Sequence, residues 1–171
     1  MIIRPATIDD APAIAEAHVR SWQWAYRGQL PDDYLDRMSD TLDRRVEARR
    51  AELASLSSDG RWWVAGQADQ VVGFAITQPS RDADAPPLTG EVVAIYLLRE
   101  AAGKGVGRAL FARAVADLRE RGYRRATLWV LESNERARRF YEAAGWRADG
   151  TRKTEERPGA LLHEVRYFIT L

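Results

Sequence analysis

Three glycines alternate with other residues in the stretch Gly103-Lys104-Gly105-Val106-Gly107, directly before a helical pattern. The first amides of a helix have no partner within it, and the helix dipole adds positive potential at that end. The loop therefore suits a phosphate, and Lys104 and Arg108 add cationic side chains beside it. The alternative interpretation is a turn in which Gly103 and Gly105 only provide positive φ angles.

Two familiar phosphate loops do not match this stretch. A dinucleotide fingerprint has Gly-x-x-Gly spacing within the first βαβ unit, whereas these glycines alternate strictly and lie late in the chain. A nucleoside triphosphate loop has Ser or Thr after Gly-Lys, whereas Lys104 is followed by Gly105. The pattern therefore indicates a different kind of anion site.

The elements that position the loop are predicted from hydrophobic periodicity and turn residues. An apolar run over 91–98 predicts a central strand before the loop, and a helix from Val106 to Gly122 follows it. A strand over 126–131 and a helix over 134–145 come next. The other predicted elements are a strand over 2–4, helices over 8–25 and from 31 to about 56, a hairpin of strands 62–65 and 71–77 with its turn at 68–70, a loop over 79–90, and a final hairpin of 146–157 and 161–171.

Composition limits the classes of partner. The 26 basic and 25 acidic residues give a net charge of +1, so no overall field attracts nucleic acid or an anionic membrane. The absence of cysteine excludes disulfides and thiolate chemistry, and with only two histidines we expect no metal site. The charged N-terminal region and the lack of a long apolar run predict a cytoplasmic protein, with a single domain over 1–171.

Two consecutive stretches, "VVAIYLLREAAGKGVGRAL" and "ATLWVLESNERARRFYEAAGW", resemble the acetyl-CoA-binding half of the GNAT superfamily of N-acetyltransferases. Gly105 and Gly107 match the glycines of the family signature, whereas Ala102 replaces its usual Arg or Gln. The second block, Asn134-x-x-Ala137-x-x-Phe140-Tyr141-x-x-x-Gly145-Trp146, is the more specific half. The likeness is strongest over 91–146, the expected acetyl-CoA-binding core.

The resemblance implies an α/β (α+β) fold. Its central sheet is mixed and mostly antiparallel, the fourth and fifth strands form a splayed parallel pair, and helices flank both faces. It also implies acetyl-CoA as co-substrate, with pantetheine entering where the strands splay. The residues this assigns to acetyl-CoA are Ile95, Tyr96, Leu97, Gly103, Lys104, Gly105, Val106, Gly107, Arg108, Asn134 and Tyr141.

The resemblance assigns catalytic roles as well. Tyr141 donates a proton to the departing thiolate, the backbone N–H of Leu97 stabilises the carbonyl oxygen, and Glu91 takes the proton of the amine. His163 and His18 are the alternative bases. From residue type alone, Tyr141 also suits a core aromatic, Asn134 an N-cap, and Glu91 a solvated strand end.

The acceptor side is expected in the helical region 8–56, where aromatic residues are dense. The candidate substrate-binding residues are Trp22, Tyr26, Leu30 and Tyr34, with Trp24 beside them; packing of the helical pair is the alternative. The stretch "HVRSWQWAYRGQLPDDYLDRMS" resembles a GNAT subgroup that includes polyamine acetyltransferases. A polyamine needs negative charge, for which the candidates are Asp32, Asp33, Asp82 and Asp84.

These residues together predict an enzyme that moves an acetyl group from acetyl-CoA to a primary amine of a small molecule, polyamine-like or amino-acid-like. The transfer is expected to be direct, in a ternary complex. The alternatives are a peptide or protein amine as acceptor, and a catalytically silent acyl-CoA-binding module. By family analogy we also expect a homodimer.

Overall fold

The computed structural model describes residues 1–55, 59–67 and 70–171. Within these ranges seven strands form one sheet, and five α-helices accompany it. The strands are β1 (Ile2–Pro5), β2 (Arg61–Gln67), β3 (Gln70–Pro79), β4 (Thr89–Leu97), β5 (Arg125–Leu131), β6 (Arg147–Arg157) and β7 (Ala160–Thr170). The helices are α1 (Ala11–Ala25), α2 (Asp32–Arg37), α3 (Leu42–Ala54), α4 (Val106–Glu120) and α5 (Glu135–Ala143).

The sheet is mixed, with the strand order β1-β2-β3-β4-β5-β7-β6. In the described sheet β4 and β5 pair in parallel, and the other neighbours pair antiparallel. The parallel pairing covers only three residue pairs, from Thr89 with Arg125 to Glu91 with Thr127. Beyond Glu91 the two strands diverge, which confirms the expected splayed pair.

A bulge in β4 lies where the divergence begins. Ile76 of β3 pairs with Ala94, whereas its neighbour Thr77 pairs with Val92, so Val93 is the extra residue of β4. A bulge bends its strand and increases the local twist. It therefore turns the second half of β4 away from β5, and the β4 edge that faces β5 has no strand partner there within the described pairing.

Helices cover both faces of the sheet, as expected. On one face, Ile14 of α1 and Leu53 of α3 pack against Trp62 and Phe74. On the other face, α4 packs its buried side chains against Val72 and other small apolar residues of the sheet. Removing this apolar surface from water is the main force that holds the layers together. The predicted α/β architecture is confirmed.

The second predicted helix, from 31 to about 56, is wrong as a single element. The structure has α2, a 3₁₀ turn at Ser39–Thr41, and then α3; residue 56 lies outside the described residues, as do 68 and 69 of the predicted hairpin turn. Side chains satisfy carbonyl groups at the break: Gln23 donates to Leu35 O (3.0 Å) and Thr41 donates to Met38 O (3.1 Å). Such bonds compete with helix continuation, and the hydrophobic pattern does not reveal them.

Candidate active site

A cleft of about 660 Å³ lies where β4 and β5 diverge, beneath α1. Its walls come from the second half of β4, the end of β5, the start of α5, and the β6–β7 hairpin. The residues nominated from the sequence that line it are Trp22, Trp24, Tyr26, Asp82, Glu91, Ile95, Tyr96, Leu97, Gly107, Asn134 and Tyr141. The topology of the sheet thus brings together residues from distant parts of the chain.

The glycine loop ends at the N-terminus of α4, beside the cleft. Gly103 and Gly105 have φ angles of 74° and 80°, so the turn needs glycine for its conformation. The first amide that bonds within α4 is that of Ala109, to Gly105 O at 3.1 Å, so the amides of 106–108 are available to a ligand. The loop therefore needs glycine for its positive φ angles and also has free amides that can bind a phosphate, so the two interpretations are compatible.

The side chains of the glycine loop differ in their exposure to solvent. Val106 is fully buried, so only its backbone is available to a ligand, whereas Lys104 and Arg108 are exposed. Gly107 is held close to the end of β4, because a Cβ atom there would lie 2.7 Å from Leu97 Cδ1. This close approach places the α4 N-terminus next to the unpaired edge of β4. Ala102, where the family usually has Arg or Gln, also lines the cleft.

Asn134 and Tyr141 face the cleft from α5. Asn134 is the N-cap, since its side chain accepts a hydrogen bond from Ala137 N at 3.1 Å. Tyr141 is 8 % exposed and packs against the rings of Phe111 and Phe140. Burial raises the pKa of its phenol well above the usual value, so the group is a neutral hydrogen-bond donor. Asn134 is thus an N-cap and Tyr141 a core aromatic, as the alternative interpretations state. Both side chains also line the cleft.

Glu91 is buried rather than solvated, with 2 % of its surface exposed. Arg81 donates from Nη2 to Glu91 Oε1 (2.8 Å) and from Nε and its backbone N to Oε2 (3.2 Å each). The same contacts raise the pKa of the Arg81 guanidinium. Glu91 therefore anchors the loop after β3, and its oxygens are already engaged by Arg81.

Aromatic rings form the wall under α1. Tyr96 stacks on His18 with ring centroids 5.1 Å apart, and Trp22 contacts Tyr26 edge-on at 4.9 Å. Burial raises the pKa of Tyr96 to about 12, although polar contacts with Trp22 and Tyr26 lower it. Burial lowers the pKa of His18 to about 3, and the charges of Arg49 and Arg45 act in the same direction. The wall is therefore uncharged near neutral pH.

Two predicted acceptor residues lie elsewhere. Among the described residues that line the cleft, Leu30 and Tyr34 are absent. Leu30 is buried with Val19, Leu35 and Leu162, and Tyr34 packs on the Trp22 ring at 6.5 Å. The chain after α1 turns back on itself, since Leu30 N donates to Tyr26 O at 3.0 Å. Both residues thus pack within the helical region and are not part of the described cleft lining.

Three of the four acids proposed for a polyamine are already paired with an arginine. Arg166 binds Asp84 through two hydrogen bonds (2.6 and 2.7 Å) and Asp82 through one (3.2 Å), and Asp82 also accepts from Trp129 Nε1 at 3.0 Å. Asp32 pairs with Arg27 at 3.0 Å, and Asp33 is exposed in the first turn of α2. The loop carboxylates of Asp82 and Asp84 therefore tie the chain together and do not form a free negative surface.

Several cleft residues were missed in the sequence. They come mainly from the β6–β7 hairpin and from β5, and they are Trp129, Arg136, Lys153, Glu155, Arg157, Leu162 and Glu164. Leu162 and Glu164 lie on the same face of β7, because side chains alternate along a strand. A carboxylate at this position of a mostly apolar strand was the signal that could have identified Glu164.

Comparison with known proteins identifies the family. A model described as "Acetyltransferase (GNAT) family" matches residues 14–146. The chain is 33% identical over 133 residues to the uncharacterized N-acetyltransferase YuaI of Bacillus subtilis, covering 77% of this chain and 72% of that protein. It is 32% identical over 142 residues to an uncharacterized N-acetyltransferase of Archaeoglobus fulgidus, covering 82% of this chain and 89% of that protein. The chain therefore belongs to the GNAT family of acetyltransferases.

Solved structures share the fold. The PaiA N-acetyltransferase of Thermoplasma acidophilum, in complex with coenzyme A, has a TM-score of 0.71 and 20% identity, covering 95% of this chain and 96% of that one. The yncA protein of Salmonella typhimurium, with acetyl-CoA, has a TM-score of 0.70 and 21% identity, covering 99% and 93%. As a family member, this chain is an acetyl-CoA-dependent N-acetyltransferase.

The described residues fit acetyl-CoA as the donor. The α4 N-terminus offers backbone amides to a pyrophosphate, and the unpaired edge of β4 offers backbone groups to an extended pantetheine. Within the described residues there is no cluster of three or more side chains of the types that bind a metal ion. Nor does any helix in the described part of the chain have the length and apolar character to cross a membrane.

Proposed function

We propose that this acetyltransferase acts on a primary amine of a small molecule and transfers the acetyl group directly, with both substrates bound at once. One observation carries the proposal: a single cleft joins the unpaired edge of β4, the α4 N-terminus, Tyr141 and an uncharged aromatic wall. Holding donor and acceptor in one site replaces a bimolecular encounter by an oriented reaction. No side-chain nucleophile is then required.

In this proposal the residues have separate tasks. Backbone amides at 103–108 bind the pyrophosphate, and residues 95–97 of β4 bind pantetheine through their backbone. The N–H of Leu97 stabilises the carbonyl oxygen as the neutral amine attacks the thioester carbon, and Glu91, the expected base, takes the proton that the nitrogen loses. Tyr141 gives a proton to the departing thiolate; its raised pKa supports this role because the phenol is protonated at neutral pH.

Contacts across the cleft favour a small acceptor over a peptide. The guanidinium of Arg136 in α5 stacks on the Trp24 ring of α1 at 4.4 Å, and Ser133 donates to Gln29 Oε1 at 2.9 Å. These contacts join the end of α1 and the loop after it to the start of α5. An extended peptide would need this connection to open, whereas a slender amine does not.

The ion pairs of the acidic residues indicate which kind of small amine the cleft can accept. Asp32, Asp82 and Asp84 are each bound by an arginine, so they do not favour a long polycation. We therefore propose an acceptor with few positive charges, such as an amino-acid-like amine, ahead of a polyamine. A catalytically silent module is disfavoured because Asn134 and Tyr141 both face the cleft.

Thiol release from acetyl-CoA tests the proposal, measured across polyamines, amino acids, aminoglycosides and short peptides. We expect release with small primary amines and little with peptides. Preferential release with peptides would contradict the small-molecule acceptor. Coenzyme A binding without release for any amine would favour the silent module.

A homodimer is proposed as well. β6 is an edge strand of the sheet, and its β7 hairpin provides a surface on which a second copy can pack. Light scattering coupled to size exclusion checks this directly: a mass of twice the chain supports the dimer, and the mass of one chain contradicts it.

A further inference from the structure

Inside the cleft, the protein holds an ammonium group of its own between a carboxylate and an aromatic ring. Lys153 Nζ of β6 lies 3.3 Å from Glu164 Oε2 of β7 and 4.2 Å from the centre of the Trp129 ring. All three residues line the cleft. A carboxylate beside an aromatic face is the combination that binds an organic ammonium ion.

Glu164 is placed to reach a ligand. Its side chain is 16 % exposed, and it lies between Lys153 of β6 and Leu131 of β5 in the strand register. Of the described residues, only Lys153 pairs with its carboxylate, so acceptor positions remain on both oxygens. Burial is the main cause that raises the pKa of Tyr26, and the charge of Glu164 adds to it. Glu164, Tyr26 and Tyr96 all line the cleft, so Glu164 shares it with the aromatic wall of the acceptor side.

Other carboxylates in the cleft differ in their partners. Glu91 is bound by Arg81, Asp82 by Arg166, and Glu155 by Arg157 at 2.6 Å. A guanidinium holds a carboxylate in a fixed fork, whereas a lysine ammonium is a point charge on a flexible stem. Among the described cleft acids, Glu164 is thus the one whose internal cation is most easily replaced by another ammonium.

We propose that Glu164 and Trp129 form the subsite for the ammonium group of the acceptor, and that Lys153 occupies this subsite until the acceptor displaces it. The inference rests on the proposed function and adds the residues that select the acceptor. The amine binds as a cation and loses one proton to the base of the proposed function before its nitrogen attacks, whereas a neutral alcohol of the same shape does not bind. Lys153, within this scheme, is an internal competitor that lowers the apparent affinity for the amine.

Isothermal titration calorimetry of n-butylamine into the protein–coenzyme A complex tests the subsite, with n-butanol as the neutral probe. Glu164→Gln removes the charge but keeps the shape, and we expect about tenfold or greater loss of n-butylamine affinity. Lys153→Met removes the competitor and should raise the affinity about threefold. n-Butanol should bind none of these proteins measurably.

Matched controls lie on β6, in the same hairpin as Lys153 and Glu164. Glu156→Gln and Arg152→Met make the same charge changes at exposed positions of β6 outside the cleft lining, and both should bind n-butylamine within about twofold of the parent. Equal affinity for parent and Glu164→Gln would overturn the inference, as would a parent complex that binds n-butylamine no better than n-butanol.

Failure of the proposed function has a different signature. If the proposed function is wrong, the enzyme will release no thiol with any small amine. This assay is independent of the n-butylamine titration. Lower affinity of Lys153→Met than of the parent would also overturn the inference, because it would show that Lys153 assists binding.

Discussion

At the scale of single residues, the proposed chemistry depends on groups whose burial sets their protonation. Tyr141 and Tyr96 are kept neutral by desolvation, whereas the carboxylates of the cleft keep cationic partners. The position of Tyr141 in the cleft was predictable, because this residue belongs to a specific block of sequence. Glu164 was not, because its position in the cleft depends on β5, β6 and β7 together.

The substitution Tyr141→Phe isolates the phenol. Turnover should fall about a hundredfold or more, since a general acid contributes that much, while coenzyme A binding is retained. Initial rates of thiol release and thermal shifts with coenzyme A measure the two effects. Tyr123→Phe, half-buried outside the cleft lining, is the control. A variant as fast as the parent would show that Tyr141 is not the acid.

Because the fold lowers the pKa of His18, we expect the free energy of unfolding to fall at acidic pH. Burial lowers its pKa to about 3, so between about pH 6.5 and that value the unfolded chain binds more protons than the folded one. Stability is therefore lost as the pH falls through this window, by up to about 1.4 kcal/mol per pH unit.

Urea unfolding near pH 7.5 and near pH 5 compares the parent with His18→Gln, which cannot titrate. The parent should lose up to about 2 kcal/mol more between these pH values than the variant does. Equal losses would mean that His18 is protonated in the folded protein as readily as in the unfolded chain.

At the scale of elements, the contact between β4 and α4 shapes the proposed donor site. Leu97, at the end of β4, lies between Gly73 and Gly107, and a Cβ at either position would come within 2.5 to 2.7 Å of its side chain. The sequence predicted strand, loop and helix in the right order. It did not reveal the bulge at Val93 or the break between α2 and α3, which depend on pairing and side-chain bonds.

Gly107→Ala tests this contact. The added methyl group must displace Leu97, which costs about 1–3 kcal/mol and moves the end of β4 relative to the α4 amides. We expect a lower melting temperature and a smaller thermal shift with coenzyme A. Gly66→Ala is the control, since its Cβ would meet nothing closer than 3.7 Å. An unchanged shift for Gly107→Ala would contradict this account of the donor site.

At the scale of the whole molecule, the sheet has two parts joined through a short parallel contact. In the described pairing, three residue pairs link β4 to β5, and the cleft opens beyond them. The family resemblance predicted this division, because the two motif blocks lie on opposite sides of it. The lining of the acceptor side was less predictable: Leu30 is buried in the core, Tyr34 packs on Trp22, and the cleft lining instead includes charged residues of the β6–β7 hairpin.

A donor that contacts both parts should stabilise the fold. At about a hundredfold excess over its dissociation constant, a ligand adds about 2.7 kcal/mol, or about 5–10 °C in melting temperature for a chain of this size. Differential scanning fluorimetry with coenzyme A measures this shift, and ATP is the control that has phosphates but no pantetheine. Equal shifts with both ligands would contradict binding of pantetheine along β4.

The central claim is that donor and amine occupy one cleft together and react directly. The most direct measurement is the initial rate of thiol release with both acetyl-CoA and the best small amine varied. If both substrates bind at once, the double-reciprocal lines should intersect. Intact-protein mass spectrometry should then find no acetylated enzyme after incubation with acetyl-CoA alone. Parallel lines together with an acetylated enzyme would contradict the account.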